Sequence, residues 1–211
     1  TFIGGTLAFL SSYIIFPNWE SLQIKSNMRN LLIANYQYIA QAITLLSKQQ
    51  LEVTDYKLAR KEVYIASANM GSTLQRLLTE PKWRQNITKE VNRFVILNHI
   101  FSSYSATLMT LLRNADIDHF NQSHLKLLYK SLFILEKLIH SMKSTAVDNT
   151  FVAAAQMINF DRENTDSDDA KLITHQLEFL YKIAADIQKI TYDFESKSEE
   201  IEIKKLTTTT G

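Results

Sequence analysis

Residues 116–124, DIDHFNQSH, gather Asp116, Asp118, His119 and His124 within nine positions. Carboxylates and imidazoles are metal ligands, but a metal needs several of them converging at fixed geometry. All four fall in or beside one inter-helix connection, where Asp and His also serve as caps and turn formers. The spacing favours capping; a metal-dependent bundle enzyme is the weaker alternative. HQLE, with His175 and Glu178, reverses the Glu-x-x-His order of di-iron bundles, and neither a second copy nor an inward Glu pair accompanies it. DRENTDSDD (161–169) lacks the Gly and the terminal Glu of a calcium loop and reads as a solvated linker. There is no glycine-rich phosphate loop and no nucleophile elbow. With zero cysteines, thiol catalysis, disulfides and Cys-ligated metal centres are excluded. The sequence therefore assigns no catalytic residue, no metal site and no cofactor.

A second group is electrostatic. In YKLARKEVYIASANMGSTLQRLL, Lys57, Arg60 and Lys61 stand at i, i+3 and i+4, which puts three cations on one helical face. The spacing favours solvated cations, or cations paired with Asp55, Glu62 and Glu80; the functional alternative is contact with an anion or a phospholipid headgroup. Downstream, Ala66, Ser67, Ala68, Gly71 and Ser72 are small. A glycine in mid-helix costs about 1 kcal/mol relative to alanine, so this stretch predicts close approach of a neighbouring helix. Asn35 and Asn98 interrupt apolar stripes, and buried amides such as Asn69 and Asn98 read as register-setting groups rather than ligands.

The elements that position these groups are helical. Four Gly and two Pro in 211 residues leave no turn residues for a strand-rich fold. The apolar spacing predicts helices over 18–48, from Thr54 or Asp55 to about Glu80, over 87–113, from about Leu125 past Met142, and over 169–203. In the last, Ile173, Leu177, Leu180, Ala184, Ile187, Thr191 and Phe194 form one seam, while Glu178, Lys182, Lys189, Asp193 and Lys197 alternate in sign on the solvated side. Residues 151–158 could add a short helix, 159–169 form an acidic linker, and 204–211 read as a disordered tail. Helices of about 30 residues, roughly 45 Å long, joined by short loops favour an antiparallel bundle. The formal net charge of +1 offers no bulk attraction to nucleic acid.

The opening run sets the class of protein. Phe2–Phe16 is uncharged, ends at Pro17 and is followed by Trp19. It lacks the cationic start and cleavage site of a signal peptide. Fifteen residues span only about 22 Å of helix, short of the roughly 30 Å hydrocarbon core, so a run extended upstream is required for a full span. Gly4, Ala8 and Ser12 recur every fourth residue, the pattern used for helix packing in lipid. Trp19 sits where aromatic residues anchor to headgroups, and Lys25 and Arg29 follow on the side expected to be cytoplasmic. Residues 1–17 therefore read as the end of a transmembrane helix and 18–203 as a cytoplasmic bundle. A freestanding soluble adaptor, whose first helix is core, is the competing reading.

GTLAFLSSYIIFPNWES resembles the end of the last membrane helix of the fusaric-acid-resistance-like proteins, bacterial inner-membrane proteins related to aromatic acid exporters. YKLARKEVYIASANMGSTLQRLLTEP and FVILNHIFSSYSATL resemble the helical cytoplasmic region that follows it. The resemblance spans residues 1–140; residues 144–211 match no family pattern. It implies efflux of aromatic carboxylates or related compounds, with the small-molecule path in a membrane portion beyond this chain, and carries over no binding residue. The expected partners are the membrane and a second copy of the chain, with the bundle coupling subunits or gating the membrane part.

Overall fold

A computed structural model describes residue 4 and residues 19–47, 49–79, 87–114, 122–142 and 168–209. Five helices account for these segments: α1 (Trp19–Leu46), α2 (Val53–Thr79), α3 (Thr88–Asn114), α4 (Gln122–Ser141) and α5 (Asp168–Thr209). No strand occurs among the described residues. The protein is an all-α helical bundle.

The buried seams follow the apolar spacing. Ile24, Met28, Leu31, Tyr38 and Ala42 on α1, Val63, Met70 and Leu77 on α2, Val91, Phe94, Phe101 and Leu108 on α3, Leu128 and Leu135 on α4, and Leu177, Ala184 and Phe194 on α5 meet in one core. Long side chains at three- and four-residue spacing project to one side of a helix, so each seam can be buried as a stripe.

Directions come from the contacts that cross between helices. Asn27 meets Thr73 and Tyr38 meets Tyr56, so α2 returns antiparallel to α1. Asn35 meets Asn98 and Ser102, while Lys25 and Glu90 both reach the 195–197 turn of the last helix, so α3 runs parallel to α1. Arg29 meets Ile139, so α4 descends again. On α5, His124 of α4 meets Ala170 and Thr174, whereas Tyr104 and Glu90 of α3 meet Phe179 and Lys197. α5 is thus parallel to α4 and antiparallel to α3. Helices α1, α3, α5 and α4 close a four-helix core, and α2 packs outside it across α1 and α3.

A simple up–down bundle was expected, and the α4–α5 pair departs from it. α4 ends near the level where α1 begins, and α5 begins beside the start of α4, so the two helices are parallel neighbours. The acidic stretch also differs at its edge, because Asp168 and Asp169 already form the first turn of α5. There their charges complement the positive helix start. The tail expected from residue 204 is instead helical to Thr209. At the other boundary, α2 starts ahead of Thr54, with the Glu52 carbonyl accepting the Tyr56 N–H at 3.1 Å.

α3 alone among the described helices is long and apolar enough to cross a membrane. Its Val91–Phe94–Asn98–Phe101–Ser105–Leu108 face lies in the bundle core. The run 2–16 lies outside the described residues apart from Gly4, which is helical and exposed.

Candidate functional site

The basic face of α2 is built as the spacing required. Lys57, Arg60 and Lys61 are all exposed on the side turned away from α1 and α3, and no described carboxylate pairs with them. The pairing with Asp55 and Glu62 is not made. Arg60 instead holds the hydroxyl of Tyr64, one turn on, with Nε at 3.2 Å and Nη2 at 3.1 Å. The tyrosine hydroxyl and its charge raise the guanidinium pKa further above its ordinary value.

Antiparallel packing puts these cations beside the later half of α1. By the Asn27–Thr73 and Tyr38–Tyr56 contacts, they stand roughly 20–35 Å along the axis from Trp19.

The small-residue stretch does not do what its composition suggests. Ala66 is buried, but Ala68 and Ser72 are exposed, and a Cβ added at Gly71 would meet nothing within 4 Å. Among the described residues, no neighbouring helix needs that glycine. Asn69 is exposed as well, its carbonyl accepting the Thr73 hydroxyl. The other two amides are core groups: Asn35 Nδ2 donates to Asn98 Oδ1 at 3.0 Å, and Asn98 Nδ2 donates to the Phe94 carbonyl at 2.9 Å. Ser102 donates to Asn35 Oδ1 at 2.8 Å, so the pair is satisfied on both sides. A satisfied buried amide pair fixes the level of α1 against α3, since any slip would leave it unpaired.

At the end of the bundle where α1 finishes, two further clusters form. Tyr38 and Tyr56 approach through their hydroxyls at 3.5 Å, and the Arg113 guanidinium lies 5.1 Å over the Tyr56 ring. Burial, reinforced by the Tyr56 hydroxyl, raises the Tyr38 pKa. His124 is fully buried, with Nε2 at 2.9 Å from Thr174 Oγ1 and 3.2 Å from the Ala170 carbonyl. Thr174 itself donates to that carbonyl at 2.8 Å, so the network assigns the imidazole N–H to Nε2. Burial pushes the His124 pKa down, against the smaller effect of the Ala170 carbonyl. His124 joins two helices as a neutral donor. Asp116, Asp118 and His119 lie outside the described residues, and among those described no group of three metal-ligating side chains occurs. His175 and Glu178 are an exposed pair at 3.9 Å.

The opposite end is held by charge. Glu90, 4 % exposed, takes the Lys197 ammonium on Oε1 at 2.6 Å, while its Oε2 is buried without a hydrogen-bond partner. Burial alone would raise the Glu90 carboxyl; Lys197, the backbone N–H and Lys89 together outweigh it and leave the pKa lowered. Lys25 pairs with Glu195 at 3.5 Å, and Arg29 Nε donates to the Ile139 carbonyl in the last turn of α4. Lys197 had the spacing of a solvated cation. No sequence pattern showed that Glu90, one turn into an amphipathic helix, faces inward.

Trp19 opens α1. A Cβ at Gly4 would meet nothing within 4 Å, and Ala8 and Ser12 lie outside the described residues.

These features define a helical bundle whose polar groups serve packing, with one unpaired cationic face, and no catalytic constellation among the described residues. The chain is 24 % identical over 108 residues, 51 % of its length, to inner membrane protein YccS of Escherichia coli (strain K12). It spans about 15 % of the length of that protein. No family model and no solved structure matches the chain. The similarity points to a family of membrane proteins and is consistent with a membrane-associated role.

Proposed function

We propose that this chain is the cytoplasmic helical bundle of a bacterial inner-membrane efflux protein for aromatic carboxylates or related compounds, acting in assembly or gating. The observation that carries the reading is the similarity to an E. coli inner membrane protein. The uncharged run Phe2–Phe16 leading through Trp19 into α1 supports the attachment to a membrane helix. α1 is continuous into the core and touches α2, α3 and α4, so a tilt of the preceding segment is transmitted to three helices at once. The exposed charged side of α5 serves to couple one copy of the chain to another. The cationic face of α2, Lys57, Arg60 and Lys61, is the candidate contact for an anion or a phospholipid headgroup.

In the full-length protein, with any cysteine outside this chain replaced, Lys57→Cys introduces a single exposed thiol. Labelling by a membrane-impermeant maleimide in inverted vesicles but not in intact cells is the expected result; the reverse places the bundle on the other side. Accumulation of a radiolabelled aromatic carboxylate by the same energised vesicles tests transport, and no uptake above vesicles lacking the protein overturns it.

A further inference from the structure

Three helices bring hydroxyls and cations together near the end of α1. Tyr38 of α1 and Tyr56 of α2 are only 1 % and 7 % exposed, and their hydroxyls meet at 3.5 Å. Two hydroxyls carry two protons, and this contact uses one, with Tyr38 donating to Tyr56. The Tyr56 O–H is left without an acceptor among the described residues, although buried donors in folded proteins are normally satisfied. The Arg113 guanidinium, in the last turn of α3, lies 5.1 Å over the Tyr56 ring. Arg60, one turn along α2, is close enough for its charge to act on both the Tyr38 and the Tyr56 hydroxyl. Two of its five N–H groups go to Tyr64 and three remain; Arg113 makes no hydrogen bond among the described residues. Lys57, Arg60 and Arg113 are all exposed, so solutes reach them.

The neighbouring carboxylates do not neutralise this group. Among the described residues no ion pair reaches Lys57, Arg60 or Arg113. Asp55 and Glu62 stand about 140–160° around α2 from Lys57 and Arg60, and Glu52 lies ahead of the helix. Cations converging from two helices on a spare hydroxyl donor are the complement of a multiply charged oxyanion. A guanidinium fork matches two phosphate oxygens at once, and the phenol O–H supplies a further donor. We propose that Lys57, Arg60, Arg113 and the Tyr56 hydroxyl form a seat for a phosphate group. Bound there, the phosphate ties the start of α2 to the end of α3. The seat rests on the reading of the α2 cationic face as an anion contact and extends it by Arg113 and Tyr56. Free phosphate and the phosphomonoester headgroup of phosphatidic acid both offer this chemistry.

The test titrates the full-length protein, in neutral detergent, with inorganic phosphate by calorimetry at constant ionic strength. Saturable binding is expected. Arg60→Gln and Arg113→Gln should each weaken it at least tenfold, and Tyr56→Phe, which keeps the ring and its packing, at least threefold. Affinity unchanged by Arg113→Gln overturns the seat; if that variant unfolds, Tyr56→Phe decides, and unchanged affinity there overturns it. Binding that ignores Arg113 and Tyr56 but falls with Lys57→Gln and Lys61→Gln leaves the α2 face standing as the contact without the seat. A second arm repeats the titration in nanodiscs of phosphatidic acid and in discs of phosphatidylglycerol matched in charge. Phosphate affinity at least tenfold lower in the phosphatidic acid discs shows a lipid phosphate competing for the seat, and equal affinity assigns it to free phosphate. No saturable phosphate binding in detergent or in either disc overturns both the seat and the anion reading of α2.

Discussion

The two ends of the bundle are closed by different chemistry. Where α1 begins, α5 is held by charge: Lys197 on buried Glu90 and Lys25 on Glu195. Where α1 finishes, α4 and α5 are held by the neutral network of His124, Thr174 and the Ala170 carbonyl, and α1–α3 by Tyr38, Tyr56 and Arg113. Both solve the burial of polar groups at helix junctions, yet they respond to different variables. A buried ion pair fails when one partner is removed, because the remaining charge is stranded. A buried neutral imidazole fails when it is protonated.

The largest expected effect is at the charged end. Lys197→Ala strands the Glu90 carboxylate, at a cost of about 2–3 kcal/mol, below the usual buried-pair value because Lys197 is half exposed. Chemical denaturation checks it, and Glu90→Gln in the same chain should recover most of the loss. Recovery failing would show that the pair is not what holds α3 to α5.

The neutral end gives the next effect, and it separates from the first by pH. The folded pKa of His124 is lowered from 6.5, so the folded state binds fewer protons than the unfolded chain below that value. Stability is whole above about pH 6.5 and declines as pH falls toward the lowered value. Glu90, lowered from 4.5, contributes stability that is present above pH 4.5 and is lost as pH falls through its folded value. Thermal melts from pH 7.5 to 3.5 should show two declines. His124→Gln should flatten the upper one and Glu90→Gln the lower; a single decline unmoved by His124→Gln would break the distinction.

Smaller effects come from exposed groups. Gly71→Ala should stabilise by about 0.5–1 kcal/mol, a rise in Tm of about 1–4 °C, because the site is mid-helix and sterically open. Destabilisation on that substitution in the full-length protein, but not in this chain alone, would mean that another surface closes on α2. Lys25→Ala should cost at most about 0.5 kcal/mol and lose its effect in 1 M salt, since the pair with Glu195 is partly exposed.

Much of the fold was legible in the sequence because an amphipathic helix writes its buried side as a 3–4 spacing. Every residue of the predicted α5 seam, from Ile173 to Phe194, is buried. The polar exceptions Asn35 and Asn98 were visible as breaks in stripes, but that they pair with each other was not. Lys57, Arg60 and Lys61 could be grouped on one face from their spacing alone. Their distance from Trp19 depends on α2 running back along α1, which no local pattern encodes. Gly71 was misread for the same reason, since a small residue permits close approach without supplying the neighbour.

By itself, the sequence determined the helical class, the seam of α5, the cationic face of α2 and the exclusion of cysteine chemistry in this chain. These are local properties, set by side-chain type and period along one helix. Only the tertiary structure decided that α4 and α5 run parallel and that Glu90 faces Lys197 and His124 faces Thr174. These pair residues 46 to 107 positions apart, and such separations are settled by how the seams pack against one another.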